Sequence, residues 1–384
     1  MESFATELTE EQRLVRETAR SFAADKVAPL SRKIDHEHYF PTELIPQLAE
    51  LGFLGVFVPE EYGGSGLGYV SYSSIIEELA RQCASTSVIV SAHNSLAIWP
   101  ILSHGSAEQK KKYLPPMSAG EKLGCFALSE PGTGSDAAAQ TCRCIKEKDG
   151  WRINGVKNWI TNAPVSDVCI LFAMQEPEKG NKGICAFIVD LKSTKGISIG
   201  KLEDKLGICG SPTASITFED VLIPDDALLG KPGGGFKVAM STLDGGRIGI
   251  AAQAVGIARA ALEDSVAYSN ERKTFGKLIS RHQSIQNHLA DMSTSIDAAR
   301  LLTLHASHLK DAGIPYGKQA AQAKLFASET SVACALKGIQ IFGGYGYVKE
   351  FNVERYLRDA KITEIYEGTS EIQRLVIASQ LVSE

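Results

Sequence analysis

The apolar pattern of this chain changes period twice, from helical to strand-like near residue 120 and back to helical near residue 232. A helix repeats its buried face every 3.6 residues and a strand every two, so one segment cannot satisfy both. The pattern therefore predicts an α+β chain in three parts: a helical domain over 1–120, a β domain over 121–232 and a helical bundle over 233–384. A length of 384 residues also favours two or three cores over a single one.

In the first part, Thr9 with Gln12 reads as a capping box ahead of Leu14, Val15, Ala19 and Phe22. A helix fits Pro41 to Leu51 and ends at Gly52. Gly63 to Gly68 reads as a loop, Ser73 to Arg81 as a helix, and Pro115-Pro116 as a break. In the middle part, Trp151–Ile153 and Val156–Ile160 flank Asn154-Gly155. That pair supplies the positive φ angles of a type I′ turn, so a hairpin is expected there. Val168–Met174, Ile184–Val189 and Ala214–Phe218 read as further strands. In the third part, Ile285, Leu289, Met292, Ile296 and Ala299 advance by helical steps and form one apolar stripe, closed by Gly313 and Pro315. A second long helix spans about Lys318 to Ile341. The last is expected to start at a capping box of Ser370 with Gln373. Long helices with short links imply an antiparallel bundle.

Composition excludes several classes of function. Hydrophobic residues make up 44% and charged residues 22% of the chain, the balance of a globular protein. The net charge is -5, and the basic run Lys110–Lys112 beside Glu108 reads as a solvated helix face, so no nucleic-acid partner is expected. No apolar run approaches the ~18 residues that span a bilayer, and Met1 to Thr9 lacks the apolar core of a secretory signal. The eight cysteines are dispersed without a CxxC pair. They read as reduced buried thiols of a protein of the bacterial cytoplasm or the mitochondrial matrix. His305 and His308 share a helix face but lack a third ligand, so no metal site is expected. No GxGxxG follows a strand, which disfavours nicotinamide binding.

Glu367 lies between Tyr366 and Gly368, just before the final helix. The helix dipole alone favours a carboxylate there, and Gly368 also permits close approach of a ligand. Local sequence leaves both readings open. The wider set of motifs is more specific. Ser129–Asp136, Trp159-Ile160-Thr161, Arg272–Gly276, Gln340–Gly344 and Ile365–Ser370 occur in this order. Over essentially its whole length the chain closely resembles the acyl-CoA dehydrogenases. That resemblance implies an N-terminal α-helical domain, a middle β-barrel or sandwich domain and a C-terminal four-helix bundle.

It further implies FAD between the β domain and the bundle. Phe126, Leu128 and Ser129 would line the flavin, Ser135 would close that loop, and Trp159, Ile160 and Thr161 would cover the ring. Arg272, Thr274, Phe275, Gln283, Gln340, Gly343 and Gly344 would bind the pyrophosphate and adenosine end across a subunit boundary, in a homotetramer built as a dimer of dimers. Thr369 and Glu371 would complete the cofactor site. Glu367 would be the base that removes the α-proton of an acyl-CoA. Ser135, Asp244, Arg247, Gln253, Thr363 and Gly368 would contact the substrate, and an electron-transfer flavoprotein would accept the electrons. Members that carry their base beside the arginine of the Asp244–Arg247 segment have Glu where this chain has Gly246. Those that bind a distal carboxylate carry Arg near Ser87. Gln253 and Thr363 match the short-chain type, whereas Ala97 and Trp99 depart from it. A butyryl-CoA-like substrate is expected, with a short branched or cyclic acyl-CoA as the alternative enzyme reading and a non-catalytic flavin-binding homologue as the other.

Overall fold

The computed structural model describes residues 8–382. Most of the segment read for a secretory signal, residues 1–7, lies outside them. The first part is helical: α1 (Glu10–Phe22), α2 (Ser31–His36), α3 (Leu44–Glu50), α4 (Tyr69–Gln82), α5 (Ala84–Ser91), α6 (Trp99–His104) and α7 (Ala107–Ser118). Thr9 and Gln12 form the expected capping box, with reciprocal hydrogen bonds of 3.0 and 3.2 Å. Pro115-Pro116 does not break the chain as expected. Helix α7 runs through both prolines, because Tyr113, Leu114 and Met117 are buried on either side and hold its last turn against the core.

The middle part contains β1 (Gly124–Ala127), β2 (Arg143–Glu147), β3 (Gly150–Thr161), β4 (Val168–Met174), β5 (Ile184–Asp190), β6 (Ile197–Ile199) and β7 (Thr213–Ile223). They form one curled sheet in the order β1-β4-β2-β3-β7-β6, with β5 also paired to β4. Strands β4 and β5 are buried on both faces. Cys169, Leu171, Phe187 and Val189 pack towards β3 and β7, while Ile170, Phe172, Ala186 and Ile188 pack against α6 and α7. This double burial explains their unbroken apolar runs.

The Asn154-Gly155 reading needs correction. The hairpin turn is Lys148-Asp149, between β2 and β3, and Asn154-Gly155 lies inside the continuous strand β3. Glycine is required at 155 because a Cβ there would stand 2.6 Å from the Cys142 Cα. Asn154 instead pins a bulge on β7. Its side chain receives the Asp220 N–H at 2.8 Å, and Asp220 adopts φ +50°.

The third part holds α8 (Gly235–Ser269), a short hairpin of β8 (Lys273–Thr274) and β9 (Lys277–Leu278), then α9 (Gln283–Asp311), α10 (Gly317–Phe342), α11 (Val353–Lys361) and α12 (Ser370–Val382). Helix α8 is the long central member. It is buried without a break over 245–258 and shares one continuous apolar core with α4, α5, α9, α10 and α11. The final capping box is also corrected. Thr369, not Ser370, caps α12, its Oγ1 receiving the Ile372 N–H at 3.3 Å. Gln373 turns back to other partners. Among the described residues no helix is long and apolar enough to cross a membrane, and all eight cysteines are free and buried.

Candidate active site

Glu367 sits in the turn between α11 and α12 with φ +53°, followed by Gly368 at φ +92°. A left-handed glutamate is uncommon and persists only when its surroundings hold it. They do so here. Gln373 Nε2 donates to the Glu367 carbonyl at 3.2 Å and to the Gly368 carbonyl at 2.8 Å, and Lys324 Nζ donates to the Gly368 carbonyl at 2.7 Å. The turn aims the carboxylate inward, where Oε2 is buried with no hydrogen-bond partner. Burial pushes this carboxyl up to about 7, against the opposing charges of Lys324 and Arg247. A buried carboxylate without donors has a raised proton affinity.

Helix α8 presents glycines to this group. A Cβ at Gly246 would lie 2.0 Å from Glu367 Oε2 and 3.2 Å from Leu96 Cδ2. One turn on, a Cβ at Gly249 would lie 2.3 Å from the Tyr72 hydroxyl, which pairs with Ser91 Oγ at 2.7 Å. Gly246 and Glu367 thus compete for the same space, and the absence of a side chain on α8 admits the carboxylate. Arg247 is buried and reaches Asp244 at 2.5 Å, its Nε unpartnered. Gln253 is fully buried. Its Nε2 donates to the Ala84 carbonyl at 3.0 Å and its Oε1 accepts from the Tyr366 hydroxyl. Thr363, also fully buried, donates to the Ala360 carbonyl at 2.7 Å and receives Ser328 Oγ on its own carbonyl at 2.8 Å.

Trp99 packs against Phe57 and Tyr69, with Lys310 Nζ 4.0 Å from its ring centroid. The same ammonium lies 4.2 and 4.4 Å from the ring centroids of Tyr69 and Tyr316. Burial pushes Lys310 down to about 7, with Asp244 and Asp311 opposing. Ala97 is buried against the Gly124 backbone, and Ser87 donates to the Ala84 carbonyl within its own helix at 2.9 Å.

On the sheet, Trp159 occupies a bulge. The register with β7 slips by one residue between Lys157 and Ile160, and Trp159 takes φ +60°. The bulge turns the indole out, 60% exposed, between fully buried Lys157 and buried Ile160. Re-aiming a side chain is what a bulge does at a functional edge. Ile160 faces the sheet core, so only its backbone is available to a ligand on the Trp159 side. Asn158 N–H donates to the Ser129 carbonyl at 2.8 Å, which binds the 129–136 loop to the same edge. Lys157 Nζ reaches inward to the Leu128 carbonyl at 3.0 Å, Glu130 Oε1 at 2.8 Å and Gln140 Oε1 at 3.1 Å. Burial works to raise the Glu130 carboxyl, but Lys157 and Thr141 outweigh it and hold it below the usual value. Phe126 is half-buried against Phe172, Leu128 is buried, Thr161 is half-buried and Ser135 is exposed.

A separate cavity of ≈ 560 Å³ opens near the β8-β9 hairpin. Arg272, Thr274, Gly343 and Gly344 line it together with Tyr268, Phe342 and Tyr345. Arg272 lies 5.5 Å from the Tyr345 ring centroid. Nothing stands within 4 Å of a Cβ placed at Gly343 or Gly344, so a ligand can rest directly on that backbone. Phe275 points away, 97% exposed. Gln283, Gln340 and Glu371 are exposed outside the lining, and Thr369 caps α12. These features fit a dinucleotide: a planar cation for pyrophosphate, bare glycine backbone and aromatic rings at one end, and an outward indole and polar loop at the other.

The structure thus brings Glu367, Arg247 and Gly246 together, and separately Arg272, Thr274, Gly343 and Gly344. The motif reading assigned no role to Lys324, Glu130, Lys157 or Tyr72. A lysine on the buried stripe Ala320, Ala323 and Ala327 of an alanine-rich helix was the visible signal for Lys324.

Comparison with known proteins agrees over the whole chain. Residues 9–121 match the acyl-CoA dehydrogenase N-terminal domain, 125–221 the middle domain and 233–382 the C-terminal domain. The mouse mitochondrial short-chain specific acyl-CoA dehydrogenase is 51% identical over 378 residues, covering 98% of this chain and 92% of that protein. The solved butyryl-CoA dehydrogenase of Megasphaera elsdenii is 45% identical with a TM-score of 0.96, covering 98% of this chain and 100% of that one. A chain solved in work on the electron transferring flavoprotein of Acidaminococcus fermentans is 46% identical with a TM-score of 0.97, covering 99% and 100%.

Proposed function

Because this chain belongs to the acyl-CoA dehydrogenase family, we propose that it oxidises a short straight-chain acyl-CoA, butyryl-CoA-like, to the trans-2-enoyl-CoA, with Glu367 taking the α-proton. FAD is the cofactor, and when bound it supplies the acceptor for the β-hydrogen as hydride. The observation that carries the reading is the Glu367 carboxylate, whose Oε2 is buried, unpartnered and set against the bare backbone of Gly246. Its raised proton affinity, near 7, suits a general base at neutral pH. The α-proton of a thioester is still far less acidic than that. The reaction therefore also requires donors to the thioester oxygen, a role the backbone N–H of Glu367 would fill. Arg247 and Asp244 hold one another on α8 and orient the substrate. Gln253 and Thr363 limit the acyl tail. Trp159, Thr161, Ser129 and the loop to Ser135 would hold the flavin ring and exclude water from it.

Arg272, Thr274, Gly343 and Gly344 would hold the pyrophosphate and adenosine end. The exposure of Phe275 beside that cavity supports its insertion into a neighbouring subunit, hence a homotetramer built as a dimer of dimers. An electron-transfer flavoprotein is the proposed acceptor. The test is anaerobic bleaching of the purified yellow protein by a panel of straight, branched and cyclic short acyl-CoAs, with Glu367→Gln as the control. Bleaching of Glu367→Gln at the normal rate would remove the base assignment, and a preference for branched or cyclic acyl groups would remove the butyryl one.

A further inference from the structure

Lys324 is a buried charge to which the proposed chemistry gives no part. It is fully buried in the middle of α10, on a stripe whose neighbours Ala320, Ala323, Ala327, Ser328 and Ser331 are all small. A desolvated ammonium is costly unless charge and hydrogen bonds compensate it. Its Nζ spans the gap to the Gly368 carbonyl at 2.7 Å, the carbonyl that Gln373 also grips at 2.8 Å. Gln373 holds the preceding carbonyl, that of Glu367, at 3.2 Å. Two successive carbonyls are thus clamped where two successive residues have positive φ. The groups whose charges act on Lys324 are Glu367, Glu364 and Glu371 on the α11–α12 segment and Arg247 on α8. Those facing Glu367 are Lys324 and Arg247, with the hydroxyls of Tyr69, Tyr72 and Tyr366 packed nearby.

We propose that Lys324 is a positioning residue for the reaction: its Nζ locks the Glu367–Gly368 turn in its left-handed form and sets a positive charge against the buried Glu367 carboxylate. This rests on the reading of Glu367 as the base. Burial lowers Lys324 to about 8 and raises Glu367 to about 7, and the attraction between them opposes both changes. Without the ammonium only Arg247 opposes burial, so the Glu367 proton affinity must rise further. A base acts only when deprotonated. The acid limb of the rate profile therefore moves to higher pH when the charge is removed.

The experiment uses the FAD-loaded enzyme and butyryl-CoA. The rate of anaerobic flavin bleaching is measured across the neutral pH range for the parent, Lys324→Met, Lys324→Gln, Lys324→Arg and Glu367→Gln. The protonated-carboxyl infrared band lost in Glu367→Gln is followed in the same samples. In Lys324→Met both the acid limb and the infrared titration should shift up by about one unit, as removal of a neighbouring opposite charge does. Lys324→Gln keeps a donor for Gly368 and should shift them equally, which decides the matter if the Met variant does not fold. Lys324→Arg should restore the limb. A normal acid limb and band in the neutral variants, with Glu367→Gln inert, overturns this proposal alone. A fully active Glu367→Gln overturns the base reading beneath it.

Discussion

The two regions proposed to serve the reaction and the FAD tail differ in how complete they are within one chain. Around Glu367 the parts are internal: a clamped turn, an unpartnered carboxylate oxygen, a bare glycine on α8 and two buried cations. Around Arg272 there is an open cavity of ≈ 560 Å³ with Phe275 97% exposed beside it. Proton abstraction needs groups held within tenths of an ångström in a dry pocket, and a single rigid core provides that most directly. Holding a cofactor's tail tolerates a shared boundary, because binding can wait for assembly. On the proposed reading, chemistry and cofactor retention are separated along the chain.

The sharpest way to break this comparison is at the base. Glu367→Gln should keep the flavin bound while the bleaching rate falls by about 10²–10⁴-fold or more, the usual contribution of a general base. Stopped-flow absorbance under anaerobic conditions reads it. If the open end depends on a neighbour, Arg272→Ala should weaken FAD binding by about 10–100-fold, the value of charge-assisted hydrogen bonds. Phe275→Asp should loosen the assembly with the turn at Glu367 untouched. Flavin fluorescence titration and light scattering measure both, and a monomer retaining full FAD would defeat the shared-site view.

The pH dependence is a smaller effect. Because the Glu367 carboxyl is raised to about 7, the parent's bleaching rate should climb with pH up to about 7 and level off above it. Each unit below should cost about tenfold. A rate flat down to the ordinary carboxylate range would show that burial does not tune the base. The smallest expected change concerns chain length. Gln253 and Thr363 are buried and hydrogen-bonded within the fold. Replacing both with alanine should move kcat/KM from butyryl-CoA towards octanoyl-CoA by about four-fold for each methylene newly admitted, about 0.8 kcal/mol apiece. An unchanged ratio would make them packing residues only, and an octanoyl preference in the parent would refute the short-chain assignment.

Much of the architecture was legible before the structure. The α1 capping box, the runs that became β4 and β5, and the apolar stripe of α9 rest on short-range periodicity, and each appeared where that rule put it. Two local readings failed because tertiary contacts overrode them, and a third misplaced a helix cap by one residue. Asn154-Gly155 looks like a turn, but the approach of Cys142 and the bulge at Asp220 make it part of a strand. Pro115-Pro116 looks like a break, but buried neighbours carry α7 through it. Ser370 looks like a cap, but Thr369 is the residue in capping position.

By itself the sequence determined the three-part order, the family through its five motifs, and Glu367 as the candidate carboxylate, since these depend on residue type and spacing. Only the tertiary structure decided what makes that carboxylate basic. Segments far apart in the chain, 246–247, 324 and 367–373, meet there, and desolvation and charge act through space rather than along sequence. The same holds for Trp159, which strand alternation places inward and a one-residue slip against β7 turns outward. Pairing register is set by the partner strand, and no local pattern in β3 encodes it.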